Sequence, residues 1–275
     1  MYSNVSPSAL RYILFACLLM TAFLVVGCGS ESTSPTSNDR DAISADSIIQ
    51  KAIAAHGGSV LDTSVVTFDF RGAQFRLVHD EGRFRYVRRT TDSLGQTVRE
   101  VLSNDSLYRE VNGDTVSLSA EERESMNTTV NSVSYFALLP YKLSDPAVNA
   151  QRLGVDTVRS TPYYRVEVTF ASEGGGQDWE DRFVYWFDTE SYHMDFLAYA
   201  YGLGGDEEPG HRFREAYNVR EIENVRIADY KNYTDTTITP STIENYARRL
   251  SASTLQEVSR VELDSVRVTT LRDGR

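Results

Sequence analysis

Arg182-Phe183-Val184-Tyr185-Trp186-Phe187-Asp188, followed closely by Met194-Asp195-Phe196-Leu197-Ala198-Tyr199-Ala200-Tyr201, decides the fold class. Both runs have strand length, are rich in aromatic and β-branched residues, and are separated by polar turn residues. A period of two places Phe183, Tyr185 and Phe187 on one face of the first run, and Leu197, Tyr199 and Tyr201 on one face of the second. Working outward, Tyr163–Phe170, Arg212–Arg220, Val225–Tyr233 and Val258–Thr269 read the same way. Upstream, Val66, Phe68 and Phe70 alternate with Thr67 and Asp69, while Phe84 and Tyr86 alternate with the arginines of 83–89. Turn chemistry punctuates these runs at Asn104-Asp105, Asn112-Gly113-Asp114, Gly174-Gly175-Gly176 and Gly202-Leu203-Gly204-Gly205.

Two segments carry a helical period instead. From Ser44 to His56, the residues Ile48, Ile49, Ala52, Ile53 and Ala55 mark one face, and Gly57-Gly58 stop the helix. His56 then falls in the last turn, where an imidazolium would complement the helix dipole. A second helix is expected to start at Ser119, because Ser119-Ala120-Glu121-Glu122 matches a capping box. It leads into the apolar segment Tyr135–Tyr141, which contains Pro140. With no fixed-period repeat and no Pro/Ser-rich linker after residue 40, the chain reads as mainly β with two or three short helices. The expected architecture is a curled antiparallel sheet, a half-barrel, covered by helices.

The N-terminus reads as an address. Arg11 precedes the apolar run 12–26, which has the form of a secretory signal or, taken alone, of a short membrane anchor. Val25-Val26-Gly27-Cys28 separates the two readings, because it resembles the lipobox of bacterial lipoproteins. That resemblance implies cleavage before Cys28, diacylglycerol on its thiol and acylation of the new amino terminus. The membrane would then be a partner through the lipid, and several acyl chains anchor stably where one does not. Residues 1–27 are thus expected to be a signal peptide, 28–43 a flexible tether and 44–275 a single domain. Gly29 stands where the inner-membrane retention signal of enterobacterial lipoproteins has Asp, so a cell-envelope location at the outer membrane is favoured, with either leaflet open.

The formal net charge is −11, with 25 arginines against three lysines. Acidic pairs are scattered (Asp80-Glu81, Glu121-Glu122, Glu180-Asp181, Glu207-Glu208), a pattern of general solvation that resembles proteins of salt-loving bacteria. The acidic balance argues against nucleic acid as a main partner. A lone mature cysteine excludes thiolate metal sites and Cys-X-X-Cys redox chemistry. No Walker-type loop or Gly-x-Ser-x-Gly elbow is present, and no cofactor is expected.

Two resemblances extend this reading. The lipoprotein signal, short helix, long meander and apolar helical insertion resemble the half-barrel carriers of bacterial envelopes, the lipoprotein-localisation factors and their mycobacterial lipid-binding relatives. This rests on architecture and transfers no residue. More closely, His56-Gly57-Gly58, Asn131-Ser132-Val133-Ser134-Tyr135-Phe136, Leu143-Ser144-Asp145-Pro146-Ala147-Val148, Tyr185-Trp186 and Arg212-Phe213-Arg214-Glu215-Ala216 resemble an uncharacterised family of lipoproteins from Bacteroidota-type bacteria over residues 45–270. The carrier resemblance implies a cavity for an apolar ligand on the concave sheet face.

Candidate ligand contacts are Tyr135, Phe136, Tyr185, Trp186, Tyr199, Tyr201, Arg212 and Arg214. Amphipathic aromatics suit a pocket with an apolar body and a polar rim, although strand aromatics ordinarily fill a closed core. Arg212 and Arg214 would hold an anionic headgroup from a concave face and would be ordinary surface arginines on a convex one, the default expectation. Catalytic alternatives are weak. His193/Asp195 and His211/Glu215 each share a strand face and could supply a base with its orienter, or a zinc site, in a hydrolase or lyase. Asp206-Glu207-Glu208 lacks calcium-loop spacing. The leading expectation is a non-catalytic, lipid-anchored envelope protein binding a lipid or other amphipathic ligand. Its alternatives are an assembly module without a cavity, whose protein partner the chain does not name, and the hydrolase.

Overall fold

A computed structural model describes residues 43–174, 179–204 and 208–271. The leader, Cys28, nearly all of the tether, and the glycine and acidic turn positions 175–176 and 205–207 lie outside these residues. Helix α1 (Ala45–Ala55) begins where Ser44 Oγ accepts the Ser47 N–H at 3.2 Å, and its apolar stripe of Ile48, Ile49 and Ala52 is buried. The short α2 (Gly58–Leu61) follows at once.

His56, the C-cap of α1, is not the imidazolium expected at a helix end. It is 4% exposed, and its two nitrogens are used as those of a neutral ring. Nδ1 lies 2.7 Å from the Ala52 carbonyl and donates to it, while Nε2 accepts the Met194 N–H at 3.3 Å. Burial, seconded by the nearby Arg226 and His193 charges, holds its pKa down at about 3. The ring therefore pins the end of α1 to the sheet only while it is uncharged. Since the unfolded chain protonates this histidine near 6.5 and the folded chain resists until about 3, the unfolded state binds more protons throughout that window. Stability is expected to fall as pH drops from 6.5 towards 3, by about 1.4 kcal/mol per unit from His56. His79, held at about 4 by its own burial, adds to this down to that pH. Urea denaturation at stepwise lower pH checks it, and a His56→Gln chain should show a visibly flatter slope.

Fourteen strands occur among the described residues, arranged as two open seven-stranded antiparallel sheets. The first contains β1 (Ser64–Phe70), β2 (Ala73–Asp80), β3 (Arg83–Thr91), β4 (Thr97–Ser103), β5 (Leu107–Val111) and β6 (Asp114–Val116) in sequential order. After helix α3 (Ala120–Ala137) and a 3-10 turn at Tyr141–Ser144, the second sheet is built from β7 (Val148–Val158), β8 (Thr161–Phe170), β9 (Arg182–Asp188), β10 (Met194–Tyr201), β11 (Gly210–Ile222), β12 (Val225–Thr234) and, after helix α4 (Tyr246–Ser251), β13 (Gln256–Val261). The last strand, β14 (Asp264–Thr270), returns to the first sheet and pairs with β1. Two-residue links with left-handed φ at both positions, such as Arg71-Gly72, Glu81-Gly82 and Asn112-Gly113, close several hairpins. That mirror-image turn matches the right-handed strand twist and curls the sheets.

The expected mainly-β half-barrel with helices is what the structure has, and the capping box at Ser119 closes in both directions. Other details differ from the sequence reading. Val258–Thr269 is two strands in two sheets, split where Leu263 buries its side chain and donates its N–H to Asp229 Oδ1 at 3.0 Å. Strand β7 was not read, because a register shift at Arg152/Gly154 breaks its alternation. Nor was the helical segment 240–251, although Ile243, Tyr246, Ala247 and Leu250 keep helical spacing.

Three apolar layers result. Helix α1 and Leu139 and Leu143 cover the inner face of β8–β10, where Val166, Tyr185, Phe187, Met194 and Leu197 are buried. The first half of α3, through Met126 and Val130, covers the inner face of the first sheet together with Val225 and Ile227 of β12. Residues 238–250 cover the outer face of β9–β11, burying Val184, Trp186, Ala198 and Phe213. Strand β9 is therefore buried on both faces, which explains its unbroken apolar run. Beyond the apolar part of the first sheet, Glu100 accepts from Arg88 at 2.6 Å and from Arg109 at 2.8 Å. Arg109 also reaches Glu122 at 3.5 Å, tying the start of α3 to the sheet.

Candidate functional site

The inner face of β9–β10 is closed rather than hollow. Tyr185 is fully buried, and its hydroxyl meets that of Tyr135 at 3.2 Å beneath α3. Burial raises both phenols, so neither supplies charge. The aromatic block there fills a core, the ordinary fate of alternating strand aromatics.

Further along the same face a cavity of about 300 Å³ remains between the C-terminal half of α3 and β10–β13. Phe136, Val133, Ala228, Val261, Leu263 and Phe70 form its apolar body. Its polar members follow from strand register. Leu197 pairs with Arg214, and Arg214 pairs with Asn232, so these project from one face. Arg214 Nε donates to Asn232 Oδ1 at 2.9 Å, Asn232 Nδ2 donates to Ser259 Oγ at 3.0 Å, and Arg214 Nη2 donates to the Tyr199 hydroxyl at 3.2 Å. The guanidinium lies 4.2 Å from the Phe136 ring centroid and 5.0 Å from that of Tyr199. Tyr230, whose phenol burial pushes up to about 12, also lines the cavity and stays a neutral group there.

Arg214 is 9% exposed, yet among the described residues it has no carboxylate partner within ion-pair distance. Its contacts are an amide oxygen, a phenol and two ring faces, which orient the cation without neutralising it. A buried guanidinium left in this state is costly unless an anion completes it. The guanidinium fork has five N–H donors, and the two protein bonds leave others free for a carboxylate or phosphate oxygen. Arg71, held in the left-handed β1–β2 turn, adds a second cation to the lining.

Of the residues singled out from sequence, Phe136, Tyr199 and Arg214 come together at this cavity. The default convex placement of Arg214 is corrected, because it lies inward. Tyr135 and Tyr185 lie in the packed layer beside the cavity. Trp186 is removed from any shared pocket with Tyr185, since neighbouring strand residues face opposite ways, and it packs against Phe213 on the outer face. Tyr201 is 36% exposed at the strand end beside Gly210. Arg212 is half-buried and donates to the His211 carbonyl at 2.7 Å. Phe70, Arg71, Tyr230 and Asn232 were missed. They come from β1–β2 and β12, and the Arg71-Gly72 turn was the one local signal available.

The two catalytic pairs are not assembled. Asp195 accepts from Arg226 at 2.8 Å and from the Tyr163 hydroxyl at 3.0 Å, and no hydrogen bond joins it to His193 among the described residues. His211 Nδ1 meets the Tyr246 hydroxyl at 2.6 Å, whereas Glu215 accepts from Arg159 and from Tyr233 at 2.9 Å. Four extended residues separate that pair by about 13 Å, with Phe213 between. Among the described residues no group of three or more His, Cys, Asp or Glu is placed to hold a metal. None of the described helices is long and apolar enough to cross a membrane.

No curated protein matches the chain. Among solved structures, a LolA-superfamily protein from Nitrosomonas europaea is similar over 85% of this chain and 97% of its own, at 12% identity and a TM-score of 0.46. A DUF1329-family protein from Desulfovibrio piger covers 81% and 92% at 11% identity and 0.36, and lipoprotein LppX of Mycobacterium tuberculosis covers 56% and 86% at 15% identity and 0.26. Likenesses of this degree transfer no site and no activity. The chain belongs to a family of unknown function, DUF6503, whose model matches residues 23–262.

Proposed function

We propose that this DUF6503 member is a lipid-anchored protein of the bacterial envelope that binds a small amphipathic anion without transforming it. The observation that carries the binding reading is Arg214, a buried cation without a carboxylate partner among the described residues, at the polar end of a cavity whose body is apolar. An anion bearing a short apolar tail satisfies both halves of that surface. At about 300 Å³ the cavity is at the small end of ligand pockets, which favours a short-chain carboxylate or a single acyl segment over a whole diacyl lipid. The anchor rests on Cys28 and its lipobox-like context.

One experiment tests both parts. The full chain is produced with its own leader in a lipoprotein-processing bacterium, extracted in neutral detergent and weighed by native mass spectrometry before and after solvent extraction. The expected chain begins at Cys28, carries acyl mass on it, and releases an organic anion on extraction. A Cys28→Ala chain that keeps the acyl mass would refute the anchor. If repeated preparations release no anion and octanoate added to the protein does not bind, the cavity reading fails, and the assembly module becomes the better account.

A further inference from the structure

Two of the arginines that alternate with the β3 aromatics, Arg85 and Arg89, are not simply spread over the surface. Together with arginines from neighbouring strands they line one cleft of about 590 Å³ on the outer face of the first sheet, opposite the α3-covered side. Register explains the convergence. Arg267 of β14 pairs with Thr67, Thr67 with Arg76, and Arg89 with both Gln74 and Arg99, so all of these project from one face. Arg85 joins them from the same side of β3. The lining thus holds five guanidinium groups against one carboxylate, Asp69. Glu110 pairs with Arg99 at 2.7 Å and Arg85 donates to the Tyr108 hydroxyl, but Arg76, Arg89 and Arg267 have no ion-pair partner among the described residues.

A cluster this cationic, on a chain of formal charge −11, opposes the general pattern of its surface. Like charges gathered without counter-ions destabilise the empty state and are relieved by an anion. The five strands from β14 to β4 place Arg267 and Arg99 about 19 Å apart, and Arg85 and Arg89 are about 13 Å apart along β3. One monovalent anion cannot engage such a field. Thr67, Gln74 and Ser265 add neutral groups able to bond to bridging or ester oxygens. The acidic remainder of the protein repels extended polyanions and anionic bilayers, which favours a ligand that fits within the cleft. Arginine, moreover, matches phosphate oxygens in paired hydrogen bonds.

The geometry points to this cleft as a binding site for a compact, multivalent phosphate-type anion, separate from the Arg214 cavity. The test uses the full chain in neutral detergent, with isothermal titration of orthophosphate, pyrophosphate and tripolyphosphate. Tripolyphosphate should bind one to one, at least about tenfold more tightly than orthophosphate, and should weaken with added salt. An Arg89→Gln/Arg267→Gln chain should lose about tenfold or more in tripolyphosphate affinity, while Arg214→Leu leaves it unchanged. Both altered arginines are exposed and without an ion-pair partner among the described residues, so an unshifted melting curve is expected; Arg76→Gln/Arg85→Gln serves as an independent second pair. Equal affinity for ortho- and tripolyphosphate, tripolyphosphate binding untouched by both double variants, or binding to anionic phospholipid vesicles without tripolyphosphate binding would each overturn the assignment. None of these outcomes touches the amphipathic cavity.

Discussion

An Arg214→Leu chain is expected to bind octanoate about 30- to 150-fold more weakly than the unaltered protein while binding octanol almost as well. The expectation follows from where the guanidinium sits. It is buried, lies against the rings of Phe136 and Tyr199, is oriented by Asn232, and has no carboxylate partner among the described residues. A charge-assisted hydrogen bond to a ligand carboxylate in such a place is worth about 2–3 kcal/mol, which is the affinity range stated. The uncharged alcohol relies on the apolar body of the cavity, which leucine preserves. Folding stability should change by about 1 kcal/mol or less, because removing an unneutralised buried charge offsets the lost bonds to Asn232 and Tyr199. Fluorescence competition against a bound apolar probe, read beside a urea titration, separates these effects. Equal losses for acid and alcohol would mean that the cavity had collapsed, and an unaffected octanoate affinity would remove Arg214 from the site.

Gly57→Ala should lower the melting temperature by about 10 °C. Two independent constraints meet at Gly57. Its φ of +83° lies in the left-handed region, where a side chain costs about 1–2 kcal/mol. In addition, a Cβ would stand 2.2 Å from the Asn224 carbonyl oxygen and 2.9 Å from Val225 Cα, both backbone atoms of the β11–β12 hairpin. Backbone cannot rotate away as a side-chain tip can, so α1 or the hairpin must shift, at about 1–3 kcal/mol. The total of about 2–5 kcal/mol corresponds, at its middle, to roughly 10 °C for a unit of this size. Gly72 is the control. It has φ +76° but nothing within 4 Å of a Cβ, so Gly72→Ala should show the conformational part alone. If both substitutions shift the melt equally, close approach contributes nothing at Gly57.

The His56-Gly57-Gly58 signature thereby acquires a physical meaning that its sequence did not disclose. The histidine bonds to Met194, and the glycine lies against Asn224, so this short junction anchors α1 to β10 and to the β11–β12 turn simultaneously. Local reading could see the helix stop. It could not see that the imidazole is buried, because burial depends on a strand almost 140 residues away. The reversal from expected imidazolium to neutral ring follows from that burial, to which the nearby Arg226 and His193 charges add.

What the sequence determined by itself was whatever depends on neighbouring residues. Alternation located most strands, with the bounds of β9 and β10 matching the structure, and the Ser119 capping box located the start of α3. Cap hydrogen bonds and strand periodicity span only a few residues, so they are written in consecutive letters. Tertiary structure decided which face each strand turns inward and which strands share a sheet. Arg214 and Trp186 illustrate the first point: alternation separates the two faces of a strand but does not say which is covered by α1 and α3. Residues 258–269 illustrate the second, for the break at Leu263 is imposed by Asp229 and the core beneath it. The cavity and the arginine cleft belong to the same class. Each gathers side chains from several strands whose proximity is set by long-range register, and no local pattern encodes that distance.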